Sequence, residues 1–392
     1  YPIGVLNDFT TAHHVLDIGE ENRHYGERTP WGFGYGHVML LRLRNLVQPV
    51  SRGHTLAGPC APDYPPLCFA CDAARDQGGV VIWCHNGKGM EAPVAAALGK
   101  CSVIFSAVDM EKEAVRRLEM DYASKGFAVV SNNSAHRLTE DVPILIPEIN
   151  YDHCGVIPAQ QKHYGWSKGL IVVKPNCSIQ SYMIPIHALI QKGYRVARMI
   201  VTTLQGLSGA GYPGPSSLDI VDNIIPYIGG EEEKSENEPR KVLGKVSGGR
   251  IVPDESISIS AHCTRVPVID GHSACVSIQF AGAKPPLEEI QEIWRSYRSV
   301  PQELGLPSAP RQPIVLRDEI DRPQPRMDRD AENGMAIVVG RLRPCKVFDY
   351  RFVGLSHNTI RGAAGGAILM AELLKAKGYI EEGARDTAHG TR

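Results

Sequence analysis

From residue 102 onward, apolar and polar positions alternate in blocks that read as a regular α/β chain. Residues 102–106 form a short apolar run suited to a buried strand. Residues 110–124 follow with helical spacing, with Val115, Leu118, Met120 and Tyr122 at apolar positions and Gly126 as the stop. Residues 127–131 supply a second strand, and a β-α-β unit of this kind predicts a parallel sheet. A third strand over 169–174 ends at Pro175-Asn-Cys-Ser178 and feeds a helix over 180–192 that Gly193 stops. Strong alternation over 194–203 runs into Gln205-Gly-Leu-Ser-Gly-Ala-Gly-Tyr-Pro-Gly214, after which 217–225 has helical character. Further strands are expected over 257–261, 274–280, 335–341 and 346–353, with an amphipathic helix over 286–297. A helix over 358–375 has a face of small residues, Gly362, Ala363, Gly365 and Gly366. The acidic stretch 231–238 reads as a solvated loop, and no internal repeat is present.

The first hundred residues differ. They are rich in Gly, Pro, His and aromatics, with Trp31-Gly-Phe-Gly-Tyr-Gly-His37 and the loop-like Gly58-Pro-Cys-Ala-Pro-Asp-Tyr-Pro-Pro66. Strands are expected over 37–41 and 79–84, and a short helix over 91–98. The pattern switches near Lys100 and Cys101. Tyr1 in place of an initiator Met is expected of a fragment or a processed product.

Length and composition then narrow the class. The chain has 392 residues, enough for about two domains, with 43% hydrophobic and 22% charged residues, as in an ordinary globular enzyme. A formal net charge of −1 gives no field to draw in nucleic acid or an acidic membrane surface. No apolar run reaches the roughly 20 residues of a membrane span, and no basic-then-apolar signal segment opens the chain, so a cytoplasmic enzyme is expected. Ten scattered cysteines do not form a disulfide framework. The single Cys-x-x-Cys, Cys68 to Cys71, has no second pair to complete a zinc site.

Candidate chemistry centres on Cys177, where a strand gives way to a helix. Unpaired N–H groups at a helix start favour a nearby anion, which predicts a lowered thiol pKa, with Asn176 and Ser178 as further donors. A buried structural cysteine is the other reading of the same residue. A thiol nucleophile needs a proton partner. His272, at a strand entrance after Pro267-Val-Ile-Asp-Gly271, is the first candidate, and His262 the second; an ordinary surface histidine is the alternative for either. The guanidinium of Arg265 suits a carboxylate. Arg137 follows the C-terminal end of a parallel strand, where ligands of open α/β sheets collect. Lys234 adds a possible phosphate contact. Taken singly, each cation could equally be a surface ion pair.

Together these segments resemble the aspartate-semialdehyde dehydrogenase family, specifically its archaeal and fungal branch. The resemblance is carried by Ser131-Asn-Asn-Ser-Ala-His-Arg137, Val142-Pro-Ile-Leu-Ile-Pro-Glu-Ile-Asn150 and Val173-Lys-Pro-Asn-Cys-Ser178. It continues in Thr202-Thr-Leu-Gln-Gly-Leu-Ser-Gly-Ala-Gly211, Asn223-Ile-Ile-Pro-Tyr-Ile-Gly-Gly-Glu-Glu-Glu-Lys234, Thr264-Arg-Val-Pro-Val-Ile-Asp-Gly-His272 and Ser356-His-Asn-Thr-Ile-Arg-Gly-Ala-Ala-Gly-Gly366. The resemblance implies NADPH-dependent conversion of L-aspartyl-β-phosphate to L-aspartate-β-semialdehyde through a cysteine thioester, a step toward lysine, threonine and methionine. It implies Cys177 as nucleophile, His272 as acid/base and Gln205 as the group that orients the acyl carbon. Arg265 would hold the substrate carboxylate, Glu232 its amino group, and Arg137 and Lys234 its phosphate, beside Asn176. Ser106, Ser131, Asn132, Ser208, Gly209, Gly211 and Asn358 would face the NADP cofactor.

The fold so implied is α/β: a partial Rossmann-type nucleotide-binding domain plus an α+β catalytic and dimerisation domain with a mixed sheet, as in glyceraldehyde-3-phosphate dehydrogenase. Residues 101–157 and 355–380 would form the nucleotide-binding remainder, 158–354 the catalytic and dimerisation domain, and 381–392 a tail. A homodimer or tetramer acting on a small molecule and inorganic phosphate follows, with neither nucleic acid nor membrane as partner. A reductase acting on malonyl-CoA is the related alternative.

The family's opening glycine turn is not found in residues 1–100. That region instead resembles a fragment of a PHP-like metal-dependent hydrolase, through Asp8-Phe-Thr-Thr-Ala-His-His14, Gly34-Tyr-Gly-His-Val-Met39, Asn45-Leu-Val-Gln-Pro-Val50 and Gly78-Gly-Val-Val-Ile-Trp-Cys-His-Asn86. His14 and His85 are its metal-ligand candidates, although no complete metal site is expected. A fusion of that fragment to a dehydrogenase lacking its first β-α-β unit would lose the pyrophosphate cradle, so a chain without cofactor binding or activity is a third alternative.

Overall fold

The computed structural model describes residues 102–380, except 109, 212 and 213, and the backbone of three earlier strands. Those strands, β1 (Glu20–Arg23), β2 (His37–Leu41) and β3 (Val80–His85), pair antiparallel in the order β1-β2-β3. Strands expected over 37–41 and 79–84 are therefore present. The helix expected over 91–98, the glycines of residues 32–36, the Cys68 to Cys71 pair and His14 lie outside the described residues, as does the side chain of His85.

The chain divides into two compact units, Tyr1–Cys101 with Ala107–Asp121, and Ser102–Ser106 with Tyr122–Arg392. All candidate catalytic residues belong to the second. Its first sheet is parallel, in the order β4 (Val103–Ser106), β5 (Ala128–Ser131) and β6 (Leu170–Val173). Every residue of β5 and β6 is buried, as the unbroken runs Ala-Val-Val-Ser and Leu-Ile-Val-Val require of strands covered on both faces. The helix between β4 and β5 is α1 (Lys112–Ser124). Helix α2 (Ile157–Tyr164) ends on Gly165 in the left-handed conformation, a common helix stop.

Helix α3 (Gln180–Gln191) follows β6 and is buried on nearly every side, so its apolar residues need no polar face. The second sheet starts with β7 (Val196–Gln205). The helix expected over 217–225 is only one turn, α4 (Ser217–Ile220). The stretch read as a solvated loop is a three-turn helix, α5 (Glu231–Val242). Glu231, Ser235, Glu238 and Val242 recur at helical spacing on its buried face. Its acidic first turn and basic last turn also suit the helix dipole. A hairpin of β8 (Lys245–Ser247) and β9 (Arg250–Val252) leads to β10 (Ser258–Arg265) and β11 (His272–Phe280). After α6 (Leu287–Ser296) come β12 (Ile314–Leu316), β13 (Ile337–Pro344) and β14 (Tyr350–Ser356).

The six strands lie in the order β10-β7-β11-β14-β13-β12. β10 runs parallel to β7 and β11 antiparallel to it, so the sheet is mixed, as expected. The last helix opens as a π-turn over Ile360–Ala364 before continuing as α7 (Gly365–Ala376). The wide turn aims Arg361 inward, where its guanidinium grips both carboxylate oxygens of buried Glu148 at 2.7 and 2.5 Å. Among the described residues no helix is long and apolar enough to cross a membrane.

Candidate active site

Strand register assembles one wall of the site. Gln205, at the end of β7, lies opposite Arg265 on β10 and opposite His272 on β11, and His272 lies opposite Ser356 on β14. Neighbouring strands stand about 4.8 Å apart, so Arg265, Gln205, His272 and Ser356 form one row across four strands. All four are buried. His262 is on β10 too, but it is exposed and outside this row.

Cys177 approaches from the parallel sheet, on the turn that links β6 to α3. Helix α5 fixes that turn by its charges. Asn176 Nδ2 donates to both carboxylate oxygens of Glu231 at 2.9 Å, and the Asn176 backbone N–H donates to Glu238 Oε2 at 2.6 Å. Glu238 Oε1 accepts from Arg137 Nη1 at 2.9 Å, while Arg137 Nη2 donates to the Asn132 carbonyl. Glu231 also accepts from Gln205 Nε2 at 3.2 Å and Lys234 Nζ at 2.8 Å. One carboxylate thus ties the cysteine loop to the sheet row. On the far side, a Cβ added to Gly362 would stand 2.8 Å from Cys177 Cβ, so the π-turn fits the thiol only with glycine there.

Cys177 and His272 belong to one charged neighbourhood, since Glu231 and Arg265 act electrostatically on both. His272 accepts the Gly206 backbone N–H at Nδ1, 3.0 Å away. That N–H is shared with the Gly271 carbonyl, 3.1 Å away, to which the ring can itself donate from Nδ1, so this contact does not fix which nitrogen of the neutral ring carries the proton. Burial, with help from nearby Arg265 and against the Gly271 backbone hydrogen bond, lowers the His272 pKa to about 4, so the ring is neutral at physiological pH. The result is a neutral imidazole in the sheet row whose Nε2 meets no partner among the described residues.

Two expectations need correction. The thiol pKa of Cys177 is raised, not lowered: burial pushes it up, Glu231 adds to this, and Lys174, Arg137 and Arg265 pull it down without prevailing. Helix α3 starts only at Gln180, three residues after the thiol. Asn176 and Ser178 are no free donors either, because Ser178 N–H and Oγ–H both bind Asn176 Oδ1, at 2.8 and 2.6 Å. The second correction concerns Glu232. It accepts the backbone N–H of Cys263 at 3.2 Å, and the carboxylate at the centre of the site is its neighbour Glu231. The sequence carried a usable signal, because Glu231 stands three residues before Lys234, the i,i+3 spacing that pairs charges on a helix. Reading 231–238 as a loop hid that signal, along with Glu238.

The residues expected at the cofactor gather at two places. Asn133 Nδ2 donates to Ser106 Oγ at 3.1 Å, and the Asn133 N–H to Ser131 Oγ at 3.0 Å, across the C-terminal edge of the parallel sheet. Asn132 Oδ1 is buried there with no partner among the described residues. Asn358 joins the second group: its Oδ1 accepts the Gly271 N–H at 2.7 Å and its Nδ2 donates to Ser208 Oγ at 2.8 Å. A Cβ on Gly209 would stand 2.8 Å from the His272 ring, and Gly211 adopts a positive φ of 71°, so both positions favour glycine. An amide oxygen with no partner among the described residues and a loop that brings Gly209 over the imidazole fit a dinucleotide. Among the described residues no His, Cys, Asp or Glu cluster could hold a metal.

A cysteine turn linked through Glu231 to a strand row that holds a histidine, with a mixed sheet and a parallel one, suits a semialdehyde dehydrogenase type of protein. Its NAD binding domain model matches residues 80–156 and its dimerisation domain model residues 186–361. Aspartate-semialdehyde dehydrogenase of Trichophyton rubrum is 45% identical over 290 residues, 73% of this chain and 80% of its own length. That of Archaeoglobus fulgidus is 46% identical over 272 residues, 69% of this chain and 76% of its own. A crystal structure of the Candida albicans enzyme with NADP superposes with a TM-score of 0.66 at 40% identity, covering 72% of this chain and 79% of that one. The chain belongs to the aspartate-semialdehyde dehydrogenase family. The NAD binding match starts at residue 80, inside the region likened above to a hydrolase, and the hydrolase likeness finds no support.

Proposed function

We propose that this chain reduces L-aspartyl-β-phosphate to L-aspartate-β-semialdehyde with NADPH, releasing inorganic phosphate. The observation that carries this reading is the convergence of Cys177 with the Arg265–Gln205–His272 row around Glu231. Cys177, as thiolate, attacks the acyl carbon; the C–S bond forms, the bond to the phosphate oxygen breaks, and phosphate leaves with its electron pair. His272, whose Nε2 is buried without a partner among the described residues, suits the acid/base role, taking the thiol proton and returning one to the developing oxyanion. NADPH, when bound, supplies the hydride that reduces the thioester. Cys177 then departs as thiolate, and the aldehyde is free.

Recognition follows from charge. Arg265 suits the α-carboxylate, and Glu231, in place of Glu232, suits the α-ammonium. Arg137 Nε is buried without a partner among the described residues and, with Lys234, suits the phosphate. Ser106, Ser131, Asn132, Ser208, Gly209, Gly211 and Asn358 would hold the nucleotide. The dimerisation domain match supports a homodimer.

Phosphate-dependent NADPH formation from aspartate semialdehyde tests the proposal. The wild-type protein is expected to show it, and Cys177→Ser to lose about 10⁴-fold or more in kcat. Wild-type protein that forms no NADPH, or that reduces malonyl-CoA in preference to the acyl phosphate, overturns it.

A further inference from the structure

Two polar atoms of the sheet row have no partner among the described residues, His272 Nε2 and Ser356 Oγ. The other two members of the row are engaged. Gln205 Nε2 donates to Thr203 Oγ1 and Glu231 Oε2, and Arg265 Nη1 donates to the Gly206 carbonyl at 2.7 Å. Ser356 is only 1% exposed, and the side chains that follow it are committed elsewhere. Asn358 spends its amide on Gly271 and Ser208, and His357 Nδ1 bonds Thr359 Oγ1. A hydroxyl taken out of water without a partner costs stability, and alanine would fill the position without that cost. Packing therefore does not account for this serine.

Its placement does. Ser356 lies directly opposite His272 across the antiparallel β11–β14 pair. Such residues carry their side chains on one face, with Cβ atoms about 5 Å apart. That face is the one turned toward the cysteine. Two residues back on β14, a Cβ on Gly354 would collide with the Ser181 carbonyl, in the first turn of α3. Just past Ser356, the His357 carbonyl accepts the Gly362 N–H at 2.9 Å, and Gly362 abuts Cys177. The hydroxyl and the imidazole are thus two open polar groups on neighbouring strands beside the thiol turn. They are not bonded to each other, so an oxygen between them would find a partner on each side.

Resting on the reading of Cys177 as nucleophile, we propose that Ser356 is a further catalytic residue, whose hydroxyl donates to the acyl oxygen of the substrate beside His272. When Cys177 adds to the acyl carbon, the C–S bond forms and the carbonyl π pair moves onto that oxygen. His272 exchanges the proton of the reaction. Ser356 keeps its own: the O–H bond stays intact, and its hydrogen bond strengthens as charge builds. The same contact serves the acylation and the hydride delivery, since both put charge on that oxygen. A donor of this kind acts on the transition state more than on the bound substrate, so it belongs to kcat.

Ser356→Ala in the full chain tests this. In phosphate-dependent NADPH formation its kcat is expected to fall about 100-fold, with KM changed by less than about threefold. Its melting temperature is expected to match or exceed that of the wild type, because a buried hydroxyl without a protein partner is removed. A kcat within about threefold of wild type overturns the inference. So does a loss of kcat accompanied by a loss of thermal stability, which marks the hydroxyl as a packing group. Should the wild type form no NADPH, only the proposed function falls, and acylation of Cys177 by p-nitrophenyl acetate decides this inference. That reaction needs the thiol and the oxyanion contact but neither aspartyl phosphate nor NADPH. Nitrophenolate release that Cys177→Ser abolishes and Ser356→Ala slows about 100-fold sustains the inference. Release that Ser356→Ala leaves unaltered, or that the wild type does not show, overturns it.

Discussion

Helix α5 and the run through the π-turn into α7 press on the same short turn, residues 174–177, with opposite chemistry. Helix α5 supplies charge: Glu231 and Glu238 grip Asn176 through its amide and its backbone N–H. The other run supplies room, with Gly362 against Cys177 and Gly366 against Lys174. Charge fixes direction and costs desolvation, which α5 offsets by pairing each buried group. Lys241, for instance, donates to three backbone carbonyls, of Arg137, Thr139 and Val142, at 2.8, 2.6 and 2.8 Å. Three acceptors need three N–H donors, so the site favours the ammonium even though burial draws its pKa to about 7. Room costs backbone entropy and supplies no direction. A thiol held by both is aimed by one helix and tolerated by the other.

Removing charge should cost the most. Glu238→Ala strips the partner from Arg137, whose side chain is only 10% exposed. A buried ion pair broken on one side loses about 3–5 kcal/mol. Thermal unfolding of the variant should show that loss, and a melting temperature equal to wild type would mean that α5 does not hold the turn. Removing room should spare stability more than catalysis. Gly362→Ala places a methyl 2.8 Å from Cys177 Cβ, and displacing a nucleophile by about 1 Å costs about 100-fold in turnover. Steady-state kinetics should show that fall in kcat with KM less affected. A fall in KM and stability alone would make the glycine a packing feature.

Glu231 sharpens the comparison through pH. Burial raises its pKa, but Lys234, with hydrogen bonds from Lys234, Asn176 and Gln205, more than reverses this, so it titrates below the ordinary 4.5. A depressed carboxyl contributes stability that is complete above its unfolded pKa and lost as pH falls through the folded value. Wild-type protein should therefore lose stability more steeply than Glu231→Gln once pH drops below about 4.5. Parallel acid limbs in the two proteins would show that the Glu231 network carries no net stabilisation.

The two helices also differ in how far the sequence reveals them. The small face of the last helix was legible because four small residues, Gly362, Ala363, Gly365 and Gly366, cluster within five positions. The strands were legible wherever burial on both faces left continuous apolar runs, as in β5 and β6. Helix α5 was not, because its buried face is polar. Glu-Glu-Glu-Lys-Ser-Glu-Asn-Glu has no apolar period, and its partners Arg137, Asn176, Gln205 and Lys234, three of them far along the chain, make that face a core. The thiol pKa was misjudged for a related reason. Local sequence placed a helix start near the sulfur, while burial and Glu231, which decide the sign, come from tertiary structure.

The smallest expected effect tests the finest distinction. Glu231 and Glu232 are adjacent and chemically identical, and their helix turns them in different directions. Glu231 meets Asn176, Gln205 and Lys234, while Glu232 meets the Cys263 N–H on β10. The amide of Glu232→Gln can still accept that N–H through its oxygen, and a neutral acceptor in place of a charged one costs only about 1 kcal/mol. Its kcat/KM for aspartate semialdehyde should fall by less than about fivefold, whereas Glu231→Gln should lose about 100-fold or more by removing the carboxylate that links the turn to the sheet row. Equal losses in the two variants would mean that either glutamate can serve the substrate ammonium, and the directional role assigned to α5 would fall with them.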